Sequence, residues 1–278
     1  MIRILVDSSS DYTMEEIKEQ EFSFVPLNIL ISGKSYRDVV DLIPDDFYKL
    51  LISSKDFPKT SQPSPQDFAE IFEDVKAKGD EIICILLSSA LSGTCQSAHL
   101  AKDMVDYDGI HIIDSLAATA MIKFMGNHAA KLVKEGLSAQ EIVQKIEAMK
   151  GKIKVVAGLD TLENLCKGGR LSKASATIGE LANLKPIITV TEEGKVSVIG
   201  KCLGKNKALN FILKYLENSE RDMSFPLYTL YSFGTENTEK LEERLTKEGI
   251  SYDERVQLGS TIGAHIGPGA FAILYVIK

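Results

Sequence analysis

The chain has 278 residues, 44% hydrophobic and 26% charged, a composition typical of globular proteins that excludes wholesale disorder. Its 39 acidic and 32 basic residues give a formal net charge of −7, which argues against nucleic acid or an anionic lipid surface as a general partner. No apolar run approaches the roughly 20 residues of a membrane-spanning helix, and acid and serine follow the first strand too early for a signal peptide, so we expect no membrane insertion. The four cysteines are widely spaced and form no Cys-x-x-Cys pair, which indicates reduced thiols in a cytoplasmic protein.

The first half of the chain alternates predicted strands and helices. Apolar runs predict strands over residues 2–6, 81–87 and 110–113, and a further extended segment over 24–31 contains Pro26, which favours a sheet edge. Helix starts follow Thr13, Ser64, Ser92 and Ser138; the second of these helices is expected to end at Gly79 and the last near Lys150. This order predicts an α/β domain over residues 1–150, with a mostly parallel sheet and flanking helices.

Each of these three strands ends in a serine-containing turn that leads to a helix. The hydroxyl residues in the turns are Ser8, Ser9 and Ser10, then Ser88, Ser89, Ser92 and Thr94, and finally Ser115. Because ligands of parallel sheets bind beyond the carboxyl ends of the strands, where helix N-termini present free N–H groups, the turns predict a pocket for a carboxylate or phosphate. Serine and threonine are also ordinary helix caps, so each one alone has a structural interpretation as well.

Residues 151–278 are predicted to form a second, α+β domain. The pattern indicates a strand at 154–157, two short helices on either side of 167–170, and a hairpin of residues 186–191 and 195–200. Helices over 206–216 and 238–247 then alternate with strands over 227–232, 252–258 and 271–277.

Three further segments carry groups suited to an anion. Residues 60–65 (Thr-Ser-Gln-Pro-Ser-Pro) form a stiff hydroxyl cluster, and residues 259–270 are rich in glycine around His265, which can donate to an anion. Residues 167–173 form a basic turn in which an arginine could clamp a phosphate or dock an acidic partner. A rigid linker, a structural histidine and a solvated loop are the alternative interpretations.

Signatures of common catalysts are missing from the sequence. It has no Gly-x-Ser-x-Gly motif, and residues 200–206 are one residue too short for a P-loop and lack its Ser or Thr. The histidines at 99, 111 and 128 have no partners at metal-ligand spacing, so we expect no metal site. The residues favour binding over catalysis.

Taken together, these stretches resemble the DegV family of bacterial fatty-acid-binding proteins over nearly the whole chain. The resemblance is carried by Asp-Ser-Ser-Ser-Asp at 7–11, residues 60–65, Ser-Ser-Ala-Leu-Ser-Gly-Thr at 88–94, Asp-Ser at 114–115, Gly-Gly-Arg-Leu-Ser-Lys-Ala at 168–174, Leu-Lys-Pro-Ile at 184–187 and His-Ile-Gly-Pro-Gly-Ala at 265–270. The number and order of these motifs are specific, although no single motif is decisive.

The resemblance implies a two-domain protein that buries one long-chain fatty acid in an apolar tunnel. It assigns the carboxylate to Thr60 and Ser92, with Ser61 and His265 as nearby candidates and with Ser89, Gly93 and Ser115 as supporting residues of the headgroup pocket. It also implies a non-catalytic carrier subunit that presents the acid to an ATP-binding fatty acid kinase, which makes an acyl phosphate for phospholipid synthesis. Arg170 matches a family residue that is implicated in productive interaction with that kinase. No cofactor is expected on this chain, because ATP and Mg belong to the partner.

The sequence departs from the family pattern in three places. Val39 replaces the glycine of a Tyr-x-Asp-Gly segment, residues 116–121 replace a serine and glycine pattern, and residues 204–207 lack the more usual arginine. These departures bear on acyl selectivity and kinase docking rather than on the headgroup site.

Two other functions stay open from the sequence. One is an independent lipid hydrolase or acyltransferase with Ser92 or Ser61 as the nucleophile and His265 as the base. The other is a regulatory protein whose fatty acid occupancy controls a contact with another protein.

Overall fold

The computed structural model describes residues 1–172 and 183–278, which form three β-sheets and their flanking helices. The strands are β1 (Ile2–Asp7), β2 (Ser23–Val25), β3 (Asn28–Ile31), β4 (Lys34–Arg37), β5 (Lys59–Ser61), β6 (Glu81–Leu86), β7 (Ile110–Asp114), β8 (Ile153–Gly158), β9 (Leu184–Val190), β10 (Val196–Leu203), β11 (Tyr228–Tyr231), β12 (Glu254–Gln257) and β13 (Phe271–Val276). The helices are α1 (Met14–Glu19), α2 (Pro44–Ser53), α3 (Pro65–Lys78), α4 (Thr94–Val105), α5 (Ala120–Lys134), α6 (Ala139–Met149), α7 (Glu163–Lys167), α8 (Lys205–Glu217), α9 (Glu236–Lys247) and α10 (Ser260–Ile266).

The first sheet is parallel and has the strand order β2-β1-β6-β7. Helices α3 and α4 cover one face, whereas α5 and α6 pack on the other, so β6 is buried on both sides. The predicted parallel sheet with flanking helices is therefore confirmed. Its three serine-containing turns follow β1, β6 and β7, which are neighbours in this sheet. The turns therefore lie side by side at the carboxyl ends of the strands.

The second sheet is mixed, with the order β10-β9-β8-β13-β11-β12. Its outer face packs against α8 and α9, and its inner face joins the side chains of the first half in one hydrophobic cluster. Lys123 on α5, which is almost fully buried, pairs with Glu16 and with Glu254 of β12. Because the largest cluster takes side chains from both halves, the division into domains 1–150 and 151–278 stays a prediction.

A third, antiparallel sheet of order β4-β3-β5 was not predicted. The segment expected to be one extended strand over 24–31 is two strands, because Pro26 has no N–H for a ladder and the Leu27 N–H donates to Ser8 Oγ instead. The first, β2, does lie at a sheet edge; β3 lies at the centre of the small sheet, where the edge prediction is wrong. Strands as short and polar as β4 and β5 give little periodic signal.

The glycine-rich stretch contains helix α10, which the sequence pattern did not predict either. Glycine disfavours helix, yet here it permits close packing, since a Cβ at Gly263 would lie 2.5 Å from Tyr48 Oη on α2. Tyr48 also donates to the carbonyl of Leu258, just before α10. These contacts fix the helix that carries His265.

Three further sequence-based expectations concern other parts of the chain. The second short helix after Arg170, with Lys173 and Ala174 of the motif there, lies outside the described residues. All four cysteines are free thiols. Within residues 1–172 and 183–278, no helix combines the length and the hydropathy needed to cross a bilayer.

Candidate functional site

A largely apolar pocket lies between the inner face of the mixed sheet and the turns of the parallel sheet. It encloses about 920 Å³ not occupied by protein atoms, its opening to solvent included. Leu87, at the end of β6, and Ala118, after β7, contribute to its wall from the first half. A cavity with this lining is suited to an apolar ligand with a small polar end.

The strand register shows how the mixed sheet makes room for this pocket. Leu230, Ala272, Ala157 and Ile188 lie directly opposite one another on β11, β13, β8 and β9, and all four line the pocket. The two alanines in the middle of the row leave space that larger side chains would fill. With Val196 on β10, the wall crosses five strands, or four spacings of about 4.8 Å, which gives about 19 Å of apolar floor.

Thr60 and His265 meet at the polar part of the pocket. The pairing of β5 with β3 places Thr60 opposite Ile29, and α10 brings His265 across so that its Nε2 lies 2.9 Å from Thr60 Oγ1. Both residues line the pocket, although they are 205 residues apart in the chain. The structure thus brings these two residues together, and their role in binding a carboxylate stays a prediction.

Burial controls the charge and the tautomer of His265. Desolvation, with a smaller contribution from the positive charge of Arg170, lowers the pKa of His265 to about 4, so the imidazole is neutral at pH 7. Its Nδ1 is buried and has no hydrogen-bond partner among the described residues, and Gly168 packs so closely that a Cβ there would lie 2.2 Å from Nδ1. Because a proton on Nδ1 would be an unpaired buried donor, we assign the proton to Nε2, which donates to Thr60 Oγ1. The Thr60 hydroxyl hydrogen is then free to donate to a ligand.

Ser92 lines the same pocket from the turn before α4. Its Oγ lies 2.9 Å from Thr94 Oγ1 in the first turn of that helix. Gly93 between them packs against Gln62, since a Cβ at Gly93 would be 2.5 Å from Gln62 Nε2. Gln62 and Ser61 line the pocket and are exposed, so they mark its opening to solvent.

Arg170 supplies a cation at this opening. Its Nε donates to the Leu91 carbonyl at 2.9 Å and its Nη1 to the Gly168 carbonyl at 2.6 Å. No carboxylate in the described ranges forms an ion pair with Arg170. The guanidinium is thus held by neutral carbonyls beside the polar end of the pocket.

Other predicted residues lie away from the pocket wall. Ser89 is exposed, and its N–H donates to Asp114. Ser115 is buried, and among the described residues its hydroxyl bonds to the backbone of Ala117 within the same turn. Neither side chain is brought to the pocket, and Gly93 reaches it only through its contact with Gln62.

The first serine turn is part of a buried acidic cluster that sequence reasoning missed. The carboxylate of Asp7 accepts from the N–H and hydroxyl of Ser9 and from the Leu87 N–H. Asp11 accepts from Thr119 and from the N–H of Gly259, and burial raises its pKa to about 7. Burial also raises the pKa values of Asp7 and of Asp38, the latter bonded to Thr261. Thr119 and Thr261 line the pocket, so the cluster supports its wall from behind.

Two of the three departures from the family pattern fall on backbone that favours glycine. Val39 has φ 66°, Leu116 has φ 49°, and Thr119 has φ 60° with ψ −155°. These are left-handed conformations in which a side chain is strained. A glycine at any of these positions would adopt the same backbone conformation without this strain.

The described residues contain no group of three or more His, Cys, Asp or Glu side chains arranged to hold a metal ion. The polar groups that line the pocket include hydroxyl groups, the Gln62 amide, the neutral imidazole of His265 and the guanidinium of Arg170.

The fold and the pocket define a class of protein: an α/β protein with an apolar pocket between two sheets and neutral hydroxyl donors at its polar end. Comparisons with known proteins identify the family to which a protein of this class belongs. The model of a family described as "Uncharacterised protein, DegV family" matches residues 1–278. The chain belongs to the DegV family, as the sequence motifs indicated.

Individual relatives cover the whole chain. A DegV domain-containing protein from Caldanaerobacter subterraneus subsp. tengcongensis is 39% identical over 279 residues, spanning 100% of this chain and 99% of the relative. A Thermus thermophilus structure, described as fatty acid binding of a DegV family protein, superposes with a TM-score of 0.89 at 32% identity and 99% coverage of each chain. A stearic-acid-binding protein from Eubacterium ventriosum has the same TM-score at 26% identity, with 100% of this chain and 99% of the other covered.

Proposed function

We propose that this protein binds one long-chain fatty acid, with the carboxylate at Thr60 and Ser92 and the tail along the apolar floor of the mixed sheet. The observation that carries the proposal is the pocket itself, which is lined both by an apolar wall about 19 Å across and by the Thr60 hydroxyl that His265 leaves free to donate. The fatty acids described for the related structures support the same ligand class.

The tail and the headgroup of a fatty acid contribute differently to its binding free energy. Burial of each methylene contributes about 0.8 kcal/mol, so a sixteen-carbon tail gains on the order of 10 kcal/mol before the costs of ordering. Affinity therefore resides mainly in the tail, and the hydroxyl groups orient the acid. Ser61 at the opening is a further candidate contact for the carboxylate.

We propose further that the protein acts in the cytoplasm as a non-catalytic carrier and presents the acid to an ATP-dependent kinase, which forms an acyl phosphate for phospholipid synthesis. Neutral donors suit this role, since a carboxylate paired with lysine would be a poorer phosphoryl acceptor. Arg170, held at the opening by carbonyl oxygens, is placed to contact the partner or the transferred phosphate. ATP and Mg would belong to the partner.

The geometry disfavours the alternative of a serine hydrolase. His265 is hydrogen-bonded to Thr60, whereas the Ser92 hydroxyl is bonded to Thr94, so neither forms a serine–histidine pair within the described residues. A histidine with a pKa of about 4 is also a weak general base at pH 7. Fluorophosphonate labelling of Ser92 or Ser61 would support the hydrolase instead.

Denaturing extraction of the purified protein followed by lipid mass spectrometry tests the ligand. We expect one free fatty acid per chain, and a protein free of lipid that also fails to bind added fatty acid would refute the proposal. The carrier role is tested with the Thr60→Ala, Ser92→Ala double variant and a cognate kinase, with Ser89→Ala as the control. Unchanged acyl-phosphate formation by the double variant would exclude the assigned role of the two hydroxyl groups.

A further inference from the structure

The loop that carries Ser92 is organised by a residue that does not line the pocket. Ser88 is fully buried, and its carbonyl oxygen accepts from the N–H groups of Leu91, at 2.9 Å, and Ser92, at 3.1 Å. Its Oγ accepts from the Ala90 N–H at 3.2 Å. One serine therefore sets the conformation of the loop over residues 88–92.

The Ser88 hydroxyl also joins this loop to the second half of the chain. It donates to the Gly194 carbonyl oxygen at 2.9 Å, at the tip of the hairpin formed by β9 and β10. The fit is tight, because a Cβ at Gly194 would lie 2.1 Å from Ser88 Oγ, and Gly194 has φ 71°, a conformation that favours glycine.

The same hairpin forms part of the pocket wall. Val190 and Val196 lie opposite each other at the ends of its two strands, and both line the pocket. On the other side of the loop, Arg170 donates to the Leu91 carbonyl. The Ser92 loop is thus held from the second half of the chain at two points, the hairpin tip and Arg170.

We propose that Ser88 is a positioning residue, which, through its bond to Gly194, holds the Ser92 hydroxyl at the place where the ligand carboxylate binds. This inference rests on the proposed fatty acid binding and extends it: the hairpin that forms the wall for the tail also sets the geometry of the headgroup loop. Ser88 itself does not touch the ligand.

The test compares palmitic acid with 1-hexadecanol, which has the same tail and no carboxylate. Binding of both is measured for the wild type, for Ser88→Ala and for Ser89→Ala, the matched control on an exposed neighbour. We expect Ser88→Ala to weaken palmitic acid binding by about fivefold and to change 1-hexadecanol binding by less than about twofold, as for loss of one positioning hydrogen bond. Ser89→Ala should change neither.

The outcomes separate this inference from the proposed function. An unchanged affinity of Ser88→Ala for palmitic acid, or an equal loss for both ligands, overturns the positioning role while fatty acid binding stands. A wild type that binds neither ligand refutes the proposed function itself. If thermal unfolding shows that Ser88→Ala does not fold, Ser88→Cys supplies the comparison, because its thiol has a similar shape but donates only a weak hydrogen bond to the Gly194 carbonyl oxygen.

Discussion

The turn after β1 and the turn after β6 contain the same kinds of residue at the same edge of one sheet, yet they use their hydroxyl groups differently. In the first, Ser9 bonds to the buried carboxylate of Asp7 and Ser10 to its carbonyl oxygen. In the second, the loop bends so that Ser92 lines the pocket, and among the described residues its hydroxyl bonds to the neighbouring Thr94. One turn stabilises the junction of the halves, and the other presents a hydroxyl to a ligand.

The contrast between the two turns shows that a buried acid decides what the serines around it do. Asp7 collects donors from its own turn and from Leu87, at the end of the neighbouring strand. No acidic side chain occurs within residues 88–94, and the Ser92 hydroxyl there bonds to Thr94 beside the pocket. Four substitutions, in decreasing order of their expected consequences, test which residues belong to the buried acidic cluster and which to the ligand pocket.

Asp7→Ala should give the largest loss of stability. It leaves two backbone N–H groups and the Ser9 hydroxyl without their buried acceptor, so we expect the free energy of unfolding to fall by about 3–5 kcal/mol in urea titrations. Asp7→Asn retains one acceptor oxygen and should lose less. If Asp7→Ala weakened ligand binding without destabilising the fold, the first turn would belong to the site.

His265 should link stability to pH. Its folded pKa of about 4 lies below the ordinary value of 6.5, so the unfolded chain binds a proton that the folded chain does not, and stability is lost as pH falls through this window. Relative to His265→Gln, the wild type should lose about 3 kcal/mol between about pH 7.5 and about pH 4. Both proteins contain the same buried aspartates, so the pH-dependent contribution of those groups cancels in the difference between the two free energies of unfolding. A parallel pH dependence of the two proteins would contradict a buried neutral imidazole.

Ala157→Leu should shorten the apolar floor without touching the polar end. The added carbons of leucine occupy space that we assign to two or three methylenes of the fatty acid tail. The binding free energy of an eighteen-carbon acid should therefore weaken by about 2 kcal/mol, and the protein should come to prefer shorter fatty acids. Competition binding with a series of fatty acids checks this, with Ala148→Leu on the exposed face of α6 as the control. An unchanged order of preference would mean that the tail does not cross this row.

Ser115→Ala should have the smallest effect. Because the Ser115 hydroxyl bonds to the backbone of Ala117 and does not line the pocket, we expect about 1 kcal/mol of lost stability and no change in fatty acid affinity. Urea unfolding and ligand titration on the same sample check both. A lower affinity at full stability would restore Ser115 to the headgroup pocket, as the resemblance to the DegV family implied.

Elements with local signals could be predicted from the amino-acid sequence. The capping boxes at Thr13, Ser64 and Ser138 are all formed, and the apolar runs that become β1, β6 and β7 give the parallel sheet. A cap and its partner are three residues apart, and the apolar pattern of a strand lies within the strand. Both signals can therefore be recognised in the amino-acid sequence before the tertiary structure is known.

The choice of hydroxyl groups that form the site, and the places of the small sheet and α10, depend instead on tertiary contacts. Thr60 and His265 are 205 residues apart, and Asp11 and Gly259 are 248 apart, so no local pattern reports either contact. The different roles of the serine turns depend on hydrogen-bond partners that are distant in the chain, because a buried hydroxyl bonds to whichever group the tertiary structure places beside it.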